Sequence, residues 1–350
     1  LSLVSIFVPI YLLTIGFSLT KIFVFMFIEW TVFALFTPLY GYLIHKIGLR
    51  EVIFIRTPLF AASLFFLSMI DQSLFWQKFF YIIPILKGFS GSIYNLSISS
   101  LFVEYMGKRK QNEKTAKLIE LPKVMSILGP FIGAIIAVLT SFEILFLLVA
   151  ALLFISMIQL SFVKDNLNHP YFDLSVFRNF KEYARDFVYL VVYGLKINSY
   201  FLLIPLVLYL SSYDISSLGL VLSFLSLLGA LFGIYVGRLA DAYGARSIIS
   251  AGGAMSALLF LLFGHFVNSN AFLYLTMLSG IIVVFINIPY EGYLFGQARK
   301  FSSPLKYLVF KEFSLFFGRS IGLIFLIFYS SRFDLVFYMV GVSSFIFWFF

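Results

Sequence analysis

The chain has 350 residues, 61% hydrophobic and only 12% charged, with a net charge of +9 and no cysteine. A water-soluble domain is about 45–50% apolar and about 25% charged, because a surface facing water needs polar groups; at a mean hydropathy of +1.02 this chain lacks them, and lipid is its solvent. Disulfides, thiolate chemistry and cysteine metal ligands are excluded, and three scattered histidines make a poor metal centre, so neither metal nor cofactor is expected.

Twelve apolar runs follow one another along the chain. A spanning helix needs about 20 such residues, and the runs predict spans at 1–17, 19–43, 51–70, 77–103, 118–140, 143–162, 186–210, 215–238, 248–268, 271–295, 308–330 and 334–350. A β-barrel would show shorter alternating segments instead. Leu1 and Phe350 both fall inside apolar runs, so the first and last helices are read as truncated. The first run lacks the basic start and cleavage site of a signal peptide. The longest polar stretch, 163–185, divides the chain into an N-terminal bundle (1–162), a cytoplasmic linker (163–185) and a C-terminal bundle (186–350).

Charge tests this count. Seventeen Lys and Arg, Lys311 among them, lie on the loops after spans two, four, six, eight and ten or on their flanks, against Lys21, Lys78 and Arg332 on the opposite side. Basic loops stay in the cytoplasm, which places both termini there, in a plasma-membrane protein. The same clustering explains the net positive charge without nucleic acid.

One polar stretch occurs twice. VGRLADAYGARS at 236–247 follows span eight, and YGYLIHKIGLR at 40–50 follows span two, about 196 positions earlier. The equivalent placement reads as an internal duplication. Glycines there permit tight turns and close helix approach. Asp241 is suited to capping the following helix or to pairing with Arg246 or Arg238.

These residues resemble the loop signature of the major facilitator superfamily of secondary transporters. The second copy keeps Gly237, Asp241, Gly244 and Arg246; the first keeps Gly41, Gly48 and Arg50 but has His45 in the aspartate position. The resemblance implies an all-α polytopic fold of twelve transmembrane helices in two pseudo-symmetric six-helix bundles, with these loops gating the cytoplasmic side. Lys87 and Gly91 are similar to the family's span-four arginine–glycine pattern. ILGPFIGA at 127–134 resembles the glycine–proline signature of its antiporters, with Ala134 in place of the last glycine. Gly129, Pro130 and Gly133 would then bend and pack span five.

Ionisable groups inside lipid are costly and need a partner or a wet cavity. Glu29 lies mid-span and is the candidate proton carrier, unless it pairs permanently with Lys87. Lys87, Asn95, Lys196, Asn198 and Arg319 are candidates for a substrate cavity, and their excess of positive charge fits an anionic or zwitterionic solute or, equally, proton-sensitive ion pairs. Glu291 and Glu312 lie nearer the cytoplasmic side. With no G-x-x-x-x-G-K-[ST] phosphate loop in the sequence, a gradient must supply the energy. The reading is a monomeric, lipid-embedded transporter exporting a small molecule in exchange for protons. Its alternatives are a proton-coupled or facilitative importer and a non-transporting scaffold. A membrane enzyme is disfavoured because His45, His169 and His265 are dispersed.

Overall fold

In the computed structural model the described residues are 4–105, 111–161, 171–173, 180–211, 213–301 and 303–350. Eight helices come first: α1 (Phe7–Thr14), α2 (Leu19–Ile47), α3 (Leu49–Met69), α4 (Leu74–Gln77), α5 (Ile82–Tyr105), α6 (Gln111–Ser126), α7 (Gly129–Leu139) and α8 (Phe142–Ser161). Then follow α9 (Phe180–Asn198), a π-helical turn (Ser199–Leu203), α10 (Ile204–Leu210), α11 (Ile215–Tyr243), α12 (Ala245–His265), α13 (Ala271–Ile282), α14 (Val284–Ala298), α15 (Pro304–Phe328) and α16 (Phe333–Ser344), closed by a 3-10 turn (Phe345–Phe349). Most of the expected linker, including Lys164 and Arg178, and the basic run Lys108–Lys110 lie outside the described residues.

Helices satisfy every backbone polar group within one segment, which is what lipid requires. Among the described residues, six helical stretches are long and apolar enough to cross a membrane: Leu19–Ile47, Leu49–Met69, Tyr183–Leu210, Ile215–Tyr243, Ala245–His265 and Ala271–Ala298. The chain is an all-α polytopic membrane protein. Other apolar runs form shorter helices, Gly129–Leu139, Phe142–Ile158 and Phe333–Phe349. The fifth expected span is divided: α6 begins at Gln111, ahead of the expected 118, and α7 restarts at Gly129 with Pro130 in its first turn. Proline cannot donate to the turn before it, so the division falls where it costs least. Pro205 has a similar effect in the seventh expected span. It stands in the first turn of α10, directly after the π-helical turn that absorbs the missing bond.

The two polar stretches sit in matching geometry. Helix α2 has 29 residues and α3 has 21, joined by Gly48 alone; α11 has 29 and α12 has 21, joined by Gly244 alone. Both glycines hold positive φ, 97° and 92°, a conformation that side chains rarely adopt. Twenty-nine residues rise about 44 Å, more than the roughly 30 Å of a hydrocarbon core. Residues 40–47 and 236–243 are therefore the last turns of long helices, not loops, and the polar signature is displayed on helix ends.

Two apolar layers cover the two ends of the molecule. Phe7, Phe23, Phe146, Phe260 and Phe337 belong to one. Tyr40, Ile44, Tyr193, Tyr290 and Phe310 belong to the other, at the end carrying Gly48 and Gly244, called here the loop end. Both layers draw on helices from before and after the linker. Glu29, Lys87, Lys196 and Arg319 stand in their helices where one layer gives way to the other.

Candidate functional site

Helix α5 approaches α2 backbone to backbone at Gly88, where a Cβ would lie 2.9 Å from Val32 Cβ and 3.1 Å from Phe33 N. That contact sets the neighbouring Lys87 against α2, and its Nζ donates to Glu29 Oε2 at 2.8 Å. The pair is nearly dry, with side chains 8% and 15% exposed. Next on α2, Trp30 offers its ring to Arg319 of α15, whose guanidinium carbon stands 4.0 Å from the ring centroid. Phe33 flanks the same guanidinium at 5.6 Å.

The chain of charges continues along α15 to α14. Arg319 Nη1 lies 3.7 Å from Glu312 Oε2, and Lys311 Nζ lies 3.9 Å from Glu312 Oε1 and 2.8 Å from Glu291 Oε2. Glu312 and Arg319, seven residues or two turns apart on α15, share a helix face, and Lys311 lies one residue round from it. Lys87, Lys311 and Arg319 thus face Glu29, Glu291 and Glu312. The expected excess of positive charge is largely cancelled, because Glu291 and Glu312 join the network. Lys311, counted with the loop charges, is instead buried, its side chain 5% exposed. Its two-turn depth inside α15, measured from Pro304, is the signal in the sequence.

Lys196 stands apart. It is fully buried at 0% exposure, and its Nζ donates to Asn287 Oδ1 of α14 at 3.2 Å, with no carboxylate within salt-bridge range among the described residues. Asn287 also borders a small cavity of about 100 Å³ with Tyr200, Pro205 and Ser226. Asn198 is buried and Asn95 half-buried. Among the described residues, neither is hydrogen-bonded to the charge network.

At the loop end a second constellation forms. Asp241 does not cap α12, which follows it, nor pair with Arg246 or Arg238. Its Oδ1 accepts from Asn112 N (3.0 Å) and Asn112 Nδ2 (2.8 Å), and its Oδ2 accepts from Glu113 N (2.8 Å). Asp241 therefore caps α6, a helix some 129 residues earlier, using the unpaired N–H groups and positive dipole end of that helix. Arg238 reaches Glu113 Oε1 at 3.4 Å. Gly237 makes the approach possible, since a Cβ there would lie 2.7 Å from Asn112 O and 2.8 Å from Ala116 Cβ. In the other copy, His45 meets Tyr171 edge-to-face at 5.4 Å, and Arg50 stands 5.6 Å from the Phe54 ring.

A cavity of about 1180 Å³ opens beside this latch, lined by Glu104, Gln111, Arg246, Tyr293, Arg299 and Lys300 among others. Gln111 bridges its wall, donating to Gly292 O and accepting from Arg299 Nη2 at 2.9 Å. On the far side, Gly129, Pro130 and Gly133 are buried in α7, and Phe131 N donates to Ser223 Oγ of α11 at 3.1 Å. Together the contacts run α11 along both halves of the divided fifth span.

A family profile described as Major Facilitator Superfamily matches residues 1–175. No curated protein matches the sequence. Among solved structures, the crystal structure of the nucleoside transporter NupG superposes with a TM-score of 0.65 at 14% identity, covering 97% of this chain and 91% of that one. A point mutant of the same transporter superposes at 0.69 with 15% identity, covering 99% and 94%. At these identities the likeness is one of fold.

Proposed function

The chain belongs to the Major Facilitator Superfamily, a group of secondary transporters rather than enzymes, and we propose that it imports a small polar metabolite by proton-coupled alternating access. The proposed architecture is twelve transmembrane helices in two pseudo-symmetric six-helix bundles, 1–162 and 186–350, joined by the linker 163–185, with both termini in the cytoplasm of a monomer in the plasma membrane. The two halves rock about a midplane site.

The observation that carries this reading is the buried charge chain Glu29–Lys87 and Arg319–Glu312–Lys311–Glu291. It crosses from helices before the linker to helices after it, through the stack of Arg319 on Trp30. Ion pairs of this kind exchange partners when a carboxylate is protonated or when a polar solute competes for the cation. In the proposed cycle Glu29 takes the proton and releases Lys87 to the solute. Lys196, Asn198, Asn95 and Arg319 supply further polar contacts, and Asp241 latches the cytoplasmic side.

Import replaces the export expected from the sequence. The glycine–proline segment of span five is accounted for by packing: Gly129 and Pro130 start α7, and a Cβ on Gly219 of α11 would lie 2.9 Å from Pro130 O. A charged midplane also suits a hydrophilic cargo better than an amphipathic drug. The similar structure is that of a nucleoside transporter, so nucleosides lead the solutes to try.

Uptake into proteoliposomes tests this, with labelled nucleosides, sugars and amino acids, with and without an inside-alkaline pH gradient. Gradient-driven accumulation of one class, abolished by a protonophore and by Glu29→Gln, is expected. Extrusion of amphipathic dyes with no uptake of any polar solute would restore the export reading.

A further inference from the structure

The two copies of the gating signature close two seams, and only one of them uses its own aspartate. At the seam between α11 and α6, Gly237 permits contact and Asp241 caps α6. A shift of 196 positions carries Gly237 onto Gly41, Asp241 onto His45, and Glu113 of α6 onto Val309 of α15. The corresponding seam is therefore α2 against α15, and Gly41 does face Val309, whose Cγ2 would lie 3.1 Å from a Cβ placed on that glycine.

His45 does not do there what Asp241 does. Its Nδ1 is buried without a hydrogen-bond partner, and α15 receives no side-chain cap at Ser303. Pro304 occupies the first turn of α15 and removes one of the donors a cap would serve. The seam is occupied from elsewhere. Phe172, from the connection between the two halves, is buried with its ring over Gly41, Cε2 lying 3.0 Å from the position of a Cβ. Its neighbour Asp173 accepts from Lys306 Nζ in the first turn of α15 at 2.8 Å. Its other neighbour, Tyr171, meets His45 on one side at 5.4 Å and the Lys306 ammonium on the other at 5.1 Å.

We propose that the linker segment Tyr171–Phe172–Asp173 is the second gating latch, taking over at the α2–α15 seam the role that the first signature copy lost when histidine replaced aspartate. Three consecutive residues each hold a different element: Tyr171 the end of α2, Phe172 the groove between α2 and α15, and Asp173 the start of α15. Separating α2 from α15 at the loop end withdraws Phe172 from its groove and breaks the Asp173–Lys306 pair, so the linker positions the gate instead of merely joining two halves. The inference rests on the transport reading only in calling this seam a gate.

The chain has no cysteine, so one introduced thiol reports on one place. Val309→Cys, at a position 0% exposed, is labelled with a water-soluble maleimide in the detergent-purified full chain. Phe172→Ala, Asp173→Lys and Lys306→Asp should each raise the labelling rate about tenfold or more, the scale set by uncovering one aromatic side chain. Asp173→Lys combined with Lys306→Asp should restore it. Ala116→Cys on the α6–α11 seam, also 0% exposed, should follow Val309→Cys, because both seams part when the loop end opens, while Val336→Cys in the opposite apolar layer, 0% exposed as well, should label at an unchanged rate in all four backgrounds. Unchanged labelling at Val309→Cys would overturn the proposal, as would a parallel rise at Val309→Cys and Val336→Cys, which reports general loosening. Neither reading depends on transport, so failure to find a solute and failure of the latch are separate results.

Discussion

Replacing Asp241 with alanine deletes a side chain that ties the end of α11 to the start of α6 through backbone N–H groups. The carboxylate accepts from Asn112 N at 3.0 Å, Asn112 Nδ2 at 2.8 Å and Glu113 N at 2.8 Å. An N-cap is worth about 0.5–2 kcal/mol, and an anion at a helix N-terminus adds about 0.3–1 kcal/mol when solvent-exposed. Asp241 is exposed, so the lower parts of those ranges apply, giving about 1–2 kcal/mol. In the proposed cycle all of it acts on the closed state, because the cap would join two elements that separate on opening. The open population at the loop end should therefore rise about five- to thirtyfold. Ala116→Cys reports this through its rate of maleimide labelling. Asp241→Asn should fall on the same side, since an amide turns one donor toward donors. His45→Ala, which removes no cap and only an edge contact with Tyr171, should raise Ala116→Cys labelling far less. Equal rates in wild type and Asp241→Ala would refute the latch, and equal effects of His45→Ala and Asp241→Ala would refute its asymmetry.

Other outcomes follow from the buried charges. Glu29→Gln strands Lys87 in a site 8% exposed; the detergent-purified variant should lose about 3–5 kcal/mol of stability, read as a lower thermal midpoint, and Glu29→Gln with Lys87→Met should recover most of it. Lys196→Met should keep or raise the thermal midpoint, because no carboxylate is left unpaired, while solute uptake falls; a large loss of stability would place an unseen counter-charge beside it. Arg319→Lys keeps the charge but loses the planar stack on Trp30, and should cost about 0.5–2 kcal/mol in the same melting assay. Gly237→Val should raise Ala116→Cys labelling even with Asp241 intact, since its Cβ meets Asn112 O at 2.7 Å.

Much of the architecture was legible in the one-dimensional pattern, because lipid imposes a rule that acts locally. Every segment must be apolar, helical and about a membrane long, whatever it later touches. The duplicated polar stretch was equally plain, since Gly48 and Gly244 must sit where a helix ends at positive φ. Tertiary structure decided the pairings. Nothing in the chain's order announces that Asp241 caps a helix beginning at Gln111, or that Phe172 lies on Gly41. Lys311 shows the limit most clearly: by position it belongs with the basic loop before it, yet α15 starts early enough to carry it into the charge network. Span-forming propensity is a property of consecutive residues and survives in the sequence. Charge partnership depends on which helices approach within a few ångströms, and only the packed bundle sets those distances.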